Sequence, residues 1–493
     1  MARLITEALH PGTWTNPKPA DRYDLLVLGG GYAGILTAQE AVRTGARVAL
    51  VERNLLGGVC LNAGCISSKA MIRTSRLYAE MRDAARYGAR RPADIQVDFA
   101  AVMERVGRVH ARASRRRSAH ELAAAGIDVF FGDAHFAGPD SVELSGETLR
   151  FKKALIAAGA RPLIPAIPGL AEAGYLTNET VFELTEAPRS LVVIGGGPLG
   201  CELGQAFCRL GSQVSIVQDE PLFLGQEERD AAQILSESLS RDGIGIHLNT
   251  ETIRVRVEDG RKLIDLRSDD YESTVEADRI LVAAGRAPNV QGLNLEAAGV
   301  EYNAVAGIRV NDYLRTSNRR IYAAGDVCLE HKFAHIEGAS AHIVVQNALF
   351  CGHERLSALT IPWCTYTDPE IAHVGLYVKE ARERGIPVKT ITVPMHEVDR
   401  AIVDGEEEGF VKIHVKEGTD RILGATVVAR HAGEMISDIS LAISAGIGVM
   451  ELAEVSHPYP TQANALKLAA VNFSRTHQPR WRDWCARKWL DRD

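Results

Sequence analysis

No run of about 18 apolar residues occurs in the 493-residue chain, so a membrane-spanning helix is not expected. Basic residues do not outnumber acidic ones: 56 Lys and Arg stand against 63 Asp and Glu, a net charge of −7. Nucleic-acid binders carry a strong basic excess, so that class is not expected. The local run Arg115–Arg117 reads as a solvated helix face. Met1 to Ala20 lacks the apolar core of a signal peptide. With Pro11, Gly12, Pro17 and Pro19 it reads as an extended arm before the first strand, and the expected location is cytoplasmic. Cysteine is scarce, eight in all at positions 60, 65, 201, 208, 328, 351, 364 and 485, which excludes a disulfide scaffold in a chain this long. His335, His342 and His373 have no metal-like spacing with another ligand; they read as structural, and no metal site is expected. What remains is 46% apolar and 24% charged, the balance of a globular enzyme, in a length that suggests about three domains.

Glycine is plentiful where it matters. The strand-like Tyr23–Leu28 runs into Gly29-Gly30-Gly31-Tyr32-Ala33-Gly34, then a helical pattern from Ile35 to Thr44, then the strand-like Arg47–Val51 ending in Glu52. In such a unit Gly29 makes the tight turn, Gly31 lets the backbone approach a pyrophosphate, and Gly34 lets helix and strand pack; Glu52 stands where a carboxylate holds a ribose hydroxyl. The pattern recurs. Ser190–Ile194 leads into Gly195-Gly196-Gly197-Pro198-Leu199-Gly200, a helix through Leu210 and the strand Gln213–Val217. The two loops lie 195 − 29 = 166 positions apart, which suggests two dinucleotides, one resident and one exchanging. After the second unit come Gln218, Asp219 and Glu220. A 2′-phosphate would want arginine or lysine there, so NADH is favoured over NADPH, although Gln218 is not the usual acid.

Between Glu52 and the next helix Cys60 and Cys65 sit five apart, among Gly57, Gly58 and Gly64. An undistorted helix would hold their Cα atoms roughly 8–9 Å apart, whereas a disulfide needs about 4.4–6.8 Å. Asn62 and Gly64 can supply the distortion, and a helix N-terminus favours a thiolate. Two structural cysteines in a Gly-rich turn are the alternative; beside a dinucleotide site the redox reading is favoured.

At Gly57-Gly58-Val59-Cys60-Leu61-Asn62-Ala63-Gly64-Cys65-Ile66-Ser67-Ser68-Lys69 the chain resembles the active-site signature of the pyridine nucleotide–disulfide oxidoreductases, which include dihydrolipoamide dehydrogenase, glutathione reductase and mercuric reductase. Ser67 stands where that family usually has proline. Ala157–Pro162, Ala283–Asn289, Ile321–Asp326 and Thr367–Gly375 resemble further family motifs, and the resemblance spans about residues 22 to 470. It implies an α/β fold with two Rossmann-like three-layer nucleotide domains and a C-terminal α+β dimerisation domain. The expected divisions are an arm at 1–21, an FAD domain at 22–165 and 287–356, an NAD(P) domain at 166–286, a dimerisation domain at 357–475 and a basic aromatic tail at 476–493. The resemblance also implies roles. Cys65 would face the flavin and Cys60 the acceptor; Lys69 would lie near flavin N5, paired with Glu202. FAD would be held by Gly29, Gly31, Gly34, Glu52, Gly58, Ala158, Gly159, Arg286, Gly325 and Asp326, the last on the ribityl chain. The nicotinamide dinucleotide would be held by Gly195, Gly197, Gly200 and Gln218. Electrons would pass from NADH through FAD to the sulfur pair, in a homodimer.

The pattern breaks at the C-terminal motif. Family disulfide reductases end in His-Pro-Thr-x-x-Glu, a base and its orienting acid that serve the partner's cysteines. Here Ser456-His457-Pro458-Tyr459-Pro460-Thr461-Gln462-Ala463-Asn464 puts Tyr459 at the histidine position and Asn464 at the glutamate position. His457, two residues early, is a candidate displaced base, and Tyr459 a candidate hydrogen-bond donor. Tyr459 and the Pro-Tyr-Pro-Thr run resemble the mercuric-reductase side of the family. The tail, however, has only Cys485 where a pair would hand on the metal, and there is no N-terminal Cys-x-x-Cys domain. The expected acceptor is a small-molecule or protein disulfide, or a metal ion. The alternatives are a dihydrolipoamide dehydrogenase using His457, and a flavin-binding redox sensor with little turnover. Glu406–Glu408 reads as a solvated turn, and the tail with Arg480, Trp481, Arg482, Trp484, Arg487, Lys488 and Trp489 as packing on the dimer.

Overall fold

The computed structural model describes residues 2–90, 95–269, 271–330 and 332–476. It divides into two compact units, one of residues up to Leu222 with Asp242–Leu359, the other of Phe223–Arg241 with the chain from Thr360 onward.

The first unit carries both glycine loops. Its larger sheet is built on Tyr23–Leu28, with Val48–Glu52 on one side and Glu147–Ile156 on the other, all parallel, and Ile127–Phe131 beyond Val48–Glu52. Ile321–Ala323 adds in parallel to the far half of Glu147–Ile156, whose near half pairs antiparallel with Ser141–Leu144. Leu25, Leu26 and Val27 are fully buried, as a strand covered on both faces requires. Each such side chain contributes about 1.5–3 kcal/mol. The helices Tyr32–Arg43 and Ala334–Leu349 pack against one another beside this sheet. The second sheet is parallel throughout, in the order Gly245–His247, Gln213–Val217, Ser190–Ile194, Arg279–Val282. An antiparallel meander, Glu251–Glu258, Arg261–Arg267 and Glu272–Ala277, lies in the chain between Gly245–His247 and Arg279–Val282. Where the chain leaves and re-enters the first nucleotide-type fold, Ala160–Pro162 and Arg286–Pro288 pair as a two-stranded ribbon.

The second unit has a five-stranded antiparallel sheet in the order Pro362–Thr365, Glu370–Gly375, Ile422–Ala429, Phe410–Lys416, Val388–Pro394. The helices Ala432–Ala445, Val449–Glu454 and Asn464–Thr476 follow these strands in the chain, and their apolar residues share the core beneath the sheet. The chain is therefore α/β with two nucleotide-type folds and an α+β unit. Phe223–Arg241 groups with this unit, through Glu228 on Lys412 and His414 and through a Trp363 Nε1–Glu227 bond of 3.2 Å.

Three local expectations are corrected. The N-terminal arm is not extended throughout: Ala2–Leu9 is helical, because Ile5 and Leu9, four apart, both find burial. Beyond it Asn16 exchanges two hydrogen bonds with Phe131 (2.9 and 2.8 Å), and His10 stacks on the Phe131 ring at 3.9 Å. Arg115 and Arg116 are solvated, but Arg117 is half-buried over the Tyr32 ring at 5.4 Å. Glu406–Glu408 is tethered, since Glu406 meets Arg430 at 3.2 Å and Gln462 at 2.6 Å, and Glu408 pairs with Arg241. His373 is buried, bonded to Thr426 at 2.8 Å and stacked on Tyr377, while His342 pairs with Glu40 at 2.7 Å. The basic aromatic tail, with Cys485, lies outside the described residues.

Candidate active site

The two cysteines occupy two helices rather than one. Gly58–Asn62 is a single short turn of helix; Ala63 and Gly64 leave helical geometry, and a new helix, Cys65–Asp83, begins at Cys65. The break is specified locally. A Cβ at Gly64 would come within 2.9 Å of the Val59 carbonyl oxygen. Asn62 Nδ2 donates to the Leu56 carbonyl at 3.0 Å, and Asn62 Oδ1 lies 3.1 Å from His110 Nε2. The buried Asn178 donates to the Ala63 carbonyl at 3.0 Å, satisfying the group that the break leaves without a helical partner. The break brings the two side chains close enough to influence one another's ionisation.

That contact divides the two groups chemically. The Cys60 S–H donates to Cys65, and Lys69 adds positive charge; against the opposing effect of burial, Cys65 is brought down to about 6. Its place at the first position of a 19-residue helix favours the anion as well. Cys60 is pushed far up, by giving its proton to that bond and then by burial, and remains a thiol. Lys69 Nζ is 2.7 Å from Glu202 Oε2, whose side chain is only 5% exposed. The helix Cys65–Asp83 is thus joined to the helix Pro198–Arg209 that follows the second glycine loop.

The two glycine loops repeat each other atom for atom in their constraints. Gly29 and Gly195 adopt φ of +110° and +109°, and a Cβ on either would strike the carbonyl oxygen of Ala157 or Ala283, at 2.2 and 2.5 Å. At Gly34 and Gly200 a Cβ would fall 1.9 and 2.1 Å from the carbonyl oxygens of Gly29 and Gly195. Gly31 and Gly197 are different: a Cβ would meet only Gly58 Cα at 3.9 Å in the first and nothing within 4 Å in the second. Their freedom is therefore not spent on packing, and the open space above them suits an approaching pyrophosphate. Gly58 presses on Gly31, with a would-be Cβ at 2.7 Å from its Cα, so the cysteine loop and the glycine loop meet glycine to glycine.

The residues present fit FAD. A cavity of about 300 Å³ is lined by Gly29, Glu52, His135, Ala158, Asn289 and Leu293 among others. Glu52 accepts from the Gly30 N–H at 2.7 Å, and burial raises its carboxyl. Asn289 bonds to the Ala158 carbonyl by its side chain (2.9 Å) and to the Gly159 carbonyl by its backbone N–H (3.0 Å). Asp326 Oδ2 lies 3.1 Å from Arg286 Nε, while its Oδ1 is buried without a hydrogen-bond partner among the described residues. A buried acceptor left without a partner is what a ribityl hydroxyl would satisfy. In the second fold Gln218 takes the place of Glu52: a Cβ at Gly196 would lie 2.2 Å from its Oε1, which is also buried with no hydrogen-bond partner among the described residues.

The C-terminal candidates separate clearly. His457 points into its own unit. Its side chain is 9% exposed, its Nε2 lies 3.4 Å from Asp438, and its Nδ1 is buried with no partner among the described residues. Tyr459 is 70% exposed and donates to Asp399 at 2.8 Å. Asn464 opens the helix Asn464–Thr476. Sequence reasoning missed Asn178, 115 positions from its acceptor, and Glu337, considered below; neither lies in a motif.

Residues 23–343 match the pyridine nucleotide-disulphide oxidoreductase family, and residues 361–470 its dimerisation domain. The chain belongs to that family. It is 35% identical to a mercuric reductase of Staphylococcus aureus over 453 residues, 92% of this chain and 83% of that one. It is 32% identical to a dihydrolipoyl dehydrogenase of Thermus scotoductus over 460 residues, 91% and 96% of the two chains. Among solved structures it resembles the Cu(II) complex of the HOCl-induced flavoprotein disulfide reductase RclA from Escherichia coli, with a TM-score of 0.82, 28% identity, and 92% and 99% coverage. The chain is thus an NAD(P)H-dependent FAD disulfide oxidoreductase of the mercuric reductase and dihydrolipoyl dehydrogenase branch. No helix of the described residues is long and apolar enough to cross a membrane.

Proposed function

We propose that this enzyme, working in the cytoplasm as a homodimer, takes two electrons from NADH, stores them in the Cys60–Cys65 pair, and delivers them through Cys60 to an acceptor that needs no histidine base. The observation that carries the reading is the helix break at Ala63-Gly64, which sets Cys60 against Cys65 at the start of the helix Cys65–Asp83, with Lys69 one turn on and held by Glu202. Bound FAD supplies two-electron transfer between nicotinamide and sulfur. Gly29, Gly31, Gly34, Gly58, Glu52, Ala158, Gly159, Arg286, Gly325 and Asp326 would hold it. Lys69, held by Glu202 at 2.7 Å, places a cation where negative charge develops on reduction. Cys65 is the sulfur on the flavin side and Cys60 the exchanging one.

NADH is preferred over NADPH. Gln218 offers an unpartnered oxygen to the ribose, its Nε2 lies 3.4 Å from Glu220, and no arginine or lysine occurs between Gln218 and Glu220 to take a 2′-phosphate. The acceptor follows from the C-terminal motif. A dithiol or disulfide substrate requires proton transfer. His457 is turned inward, and Tyr459, raised by its bond to Asp399, is a donor rather than a base. A thiophilic metal ion, which displaces the Cys60 proton to solvent as it binds the sulfur, is therefore favoured over lipoamide. Mercuric reductases among the relatives and a copper-bound neighbour agree with this.

The deciding experiment is an anaerobic NADH titration followed by visible absorbance, on wild type and Cys60→Ala. A long-wavelength band after two electrons shows a live pair. Bleaching without that band takes the sulfurs out of the circuit and refutes the proposal. Turnover with Cu(II) exceeding that with lipoamide supports the acceptor class, and the reverse overturns it.

A further inference from the structure

Glu337 stands in the first turn of the helix Ala334–Leu349, half-buried, at the meeting point of two flavin-binding loops. A Cβ at Gly325 would lie 3.4 Å from Glu337 Cγ and 3.6 Å from Ala33 Cβ, so the Glu337 side chain runs alongside the Gly325-Asp326 turn toward the first glycine loop. The Ala33 N–H, one of the amides at the start of the helix Tyr32–Arg43 where a pyrophosphate would dock, lies near enough to favour the ionised form of Glu337 slightly.

We propose that Glu337 is a flavin-binding residue that closes the cradle between Ala33 and Gly325 and takes up a proton when FAD is seated. The proposal rests on the flavoprotein reading above. A protonated carboxyl there would donate its O–H to a phosphate or ribityl oxygen, whereas a carboxylate would repel the phosphates. The charges around it fit this role. Asp326 and the Cys60–Cys65 pair face it with negative charge or potential negative charge; Arg286 faces it as a cation. Arg117, over Tyr32, lies on the cysteine side. On the two packed helices, His335 stacks on Phe333, and Glu40 and His342 neutralise one another. Burial, then Asp326, already raise Glu337 to about 8, and the pyrophosphate pushes in the same direction.

The test dilutes the purified holoenzyme into buffers of increasing pH and reads free FAD by fluorescence. In wild type the dissociation constant should rise by up to about tenfold per pH unit above about 8, the slope of one linked proton. In Glu337→Gln it should stay flat and lie below wild type at the alkaline end; Glu337→Ala should also be flat, with weaker binding throughout. A flat wild-type profile, or a Glu337→Gln profile parallel to wild type, overturns the assignment and leaves the flavoprotein reading standing. A purified protein that neither contains nor takes up FAD refutes both.

Discussion

Cys65 keeps its charge through a particular order of influences: the Cys60 S–H first, burial against it, Lys69 next. The order makes a prediction. In reduced protein the Cys65 thiolate absorbance should titrate near pH 6, present above that value and lost as pH falls through it. Cys60→Ala should raise the midpoint toward the ordinary thiol range, and Lys69→Met should raise it less. A larger rise in Lys69→Met would mean that the ion pair with Glu202, not the neighbouring thiol, governs the site. His457 illustrates the opposite lesson at the same scale. A histidine two places from the family position invites a catalytic reading, yet its ring is turned against Asp438.

At the scale of elements, the strand–loop–helix units are held by clashes that only glycine avoids. Gly34→Ala and Gly200→Ala each place a methyl group within about 2 Å of a carbonyl oxygen in their own loop, so each should cost about 1–3 kcal/mol of stability. Their functional effects should differ: Gly34→Ala should purify without flavin, whereas Gly200→Ala should stay yellow but resist reduction by NADH. Two colourless proteins, or two normal ones, would refute the division of labour. These loops were legible in the sequence because close backbone approach restricts residue type. The helix break at Ala63-Gly64 was legible for the same reason. Its support from Asn178 was not, because a side chain 115 positions away leaves no local pattern. Glu337 escaped because an acidic residue near a helix start usually reads as a dipole partner. Arg117 was read as part of a solvated run, and only its place above Tyr32 distinguishes it from Arg115 and Arg116.

At the scale of the whole molecule, residues 361–470 match the family's dimerisation domain, and Tyr459 presents an exposed hydroxyl from it. If that hydroxyl serves the partner's cysteines, two crippled proteins should complement each other. Mixing Cys60→Ala with Tyr459→Phe after subunit exchange should restore roughly a quarter of wild-type activity, because half the dimers formed would carry one intact site of two. No recovery would place Tyr459 outside the reaction. The redox helix is tied to the nicotinamide-type fold by Lys69 to Glu202 at 2.7 Å and by Arg82 to the Arg209 carbonyl at 2.6 Å. The cysteine turn is tied by Asn178, in the segment leading to that fold. Excising the second nucleotide fold and splicing the flavin fold would remove the groups that Asn178, Glu202 and the Arg209 carbonyl present to the Ala63 carbonyl, Lys69 and Arg82. The flavin fold is therefore not a portable cassette: its dithiol is a jointly owned part, and a truncated version would bring the glycines without the chemistry.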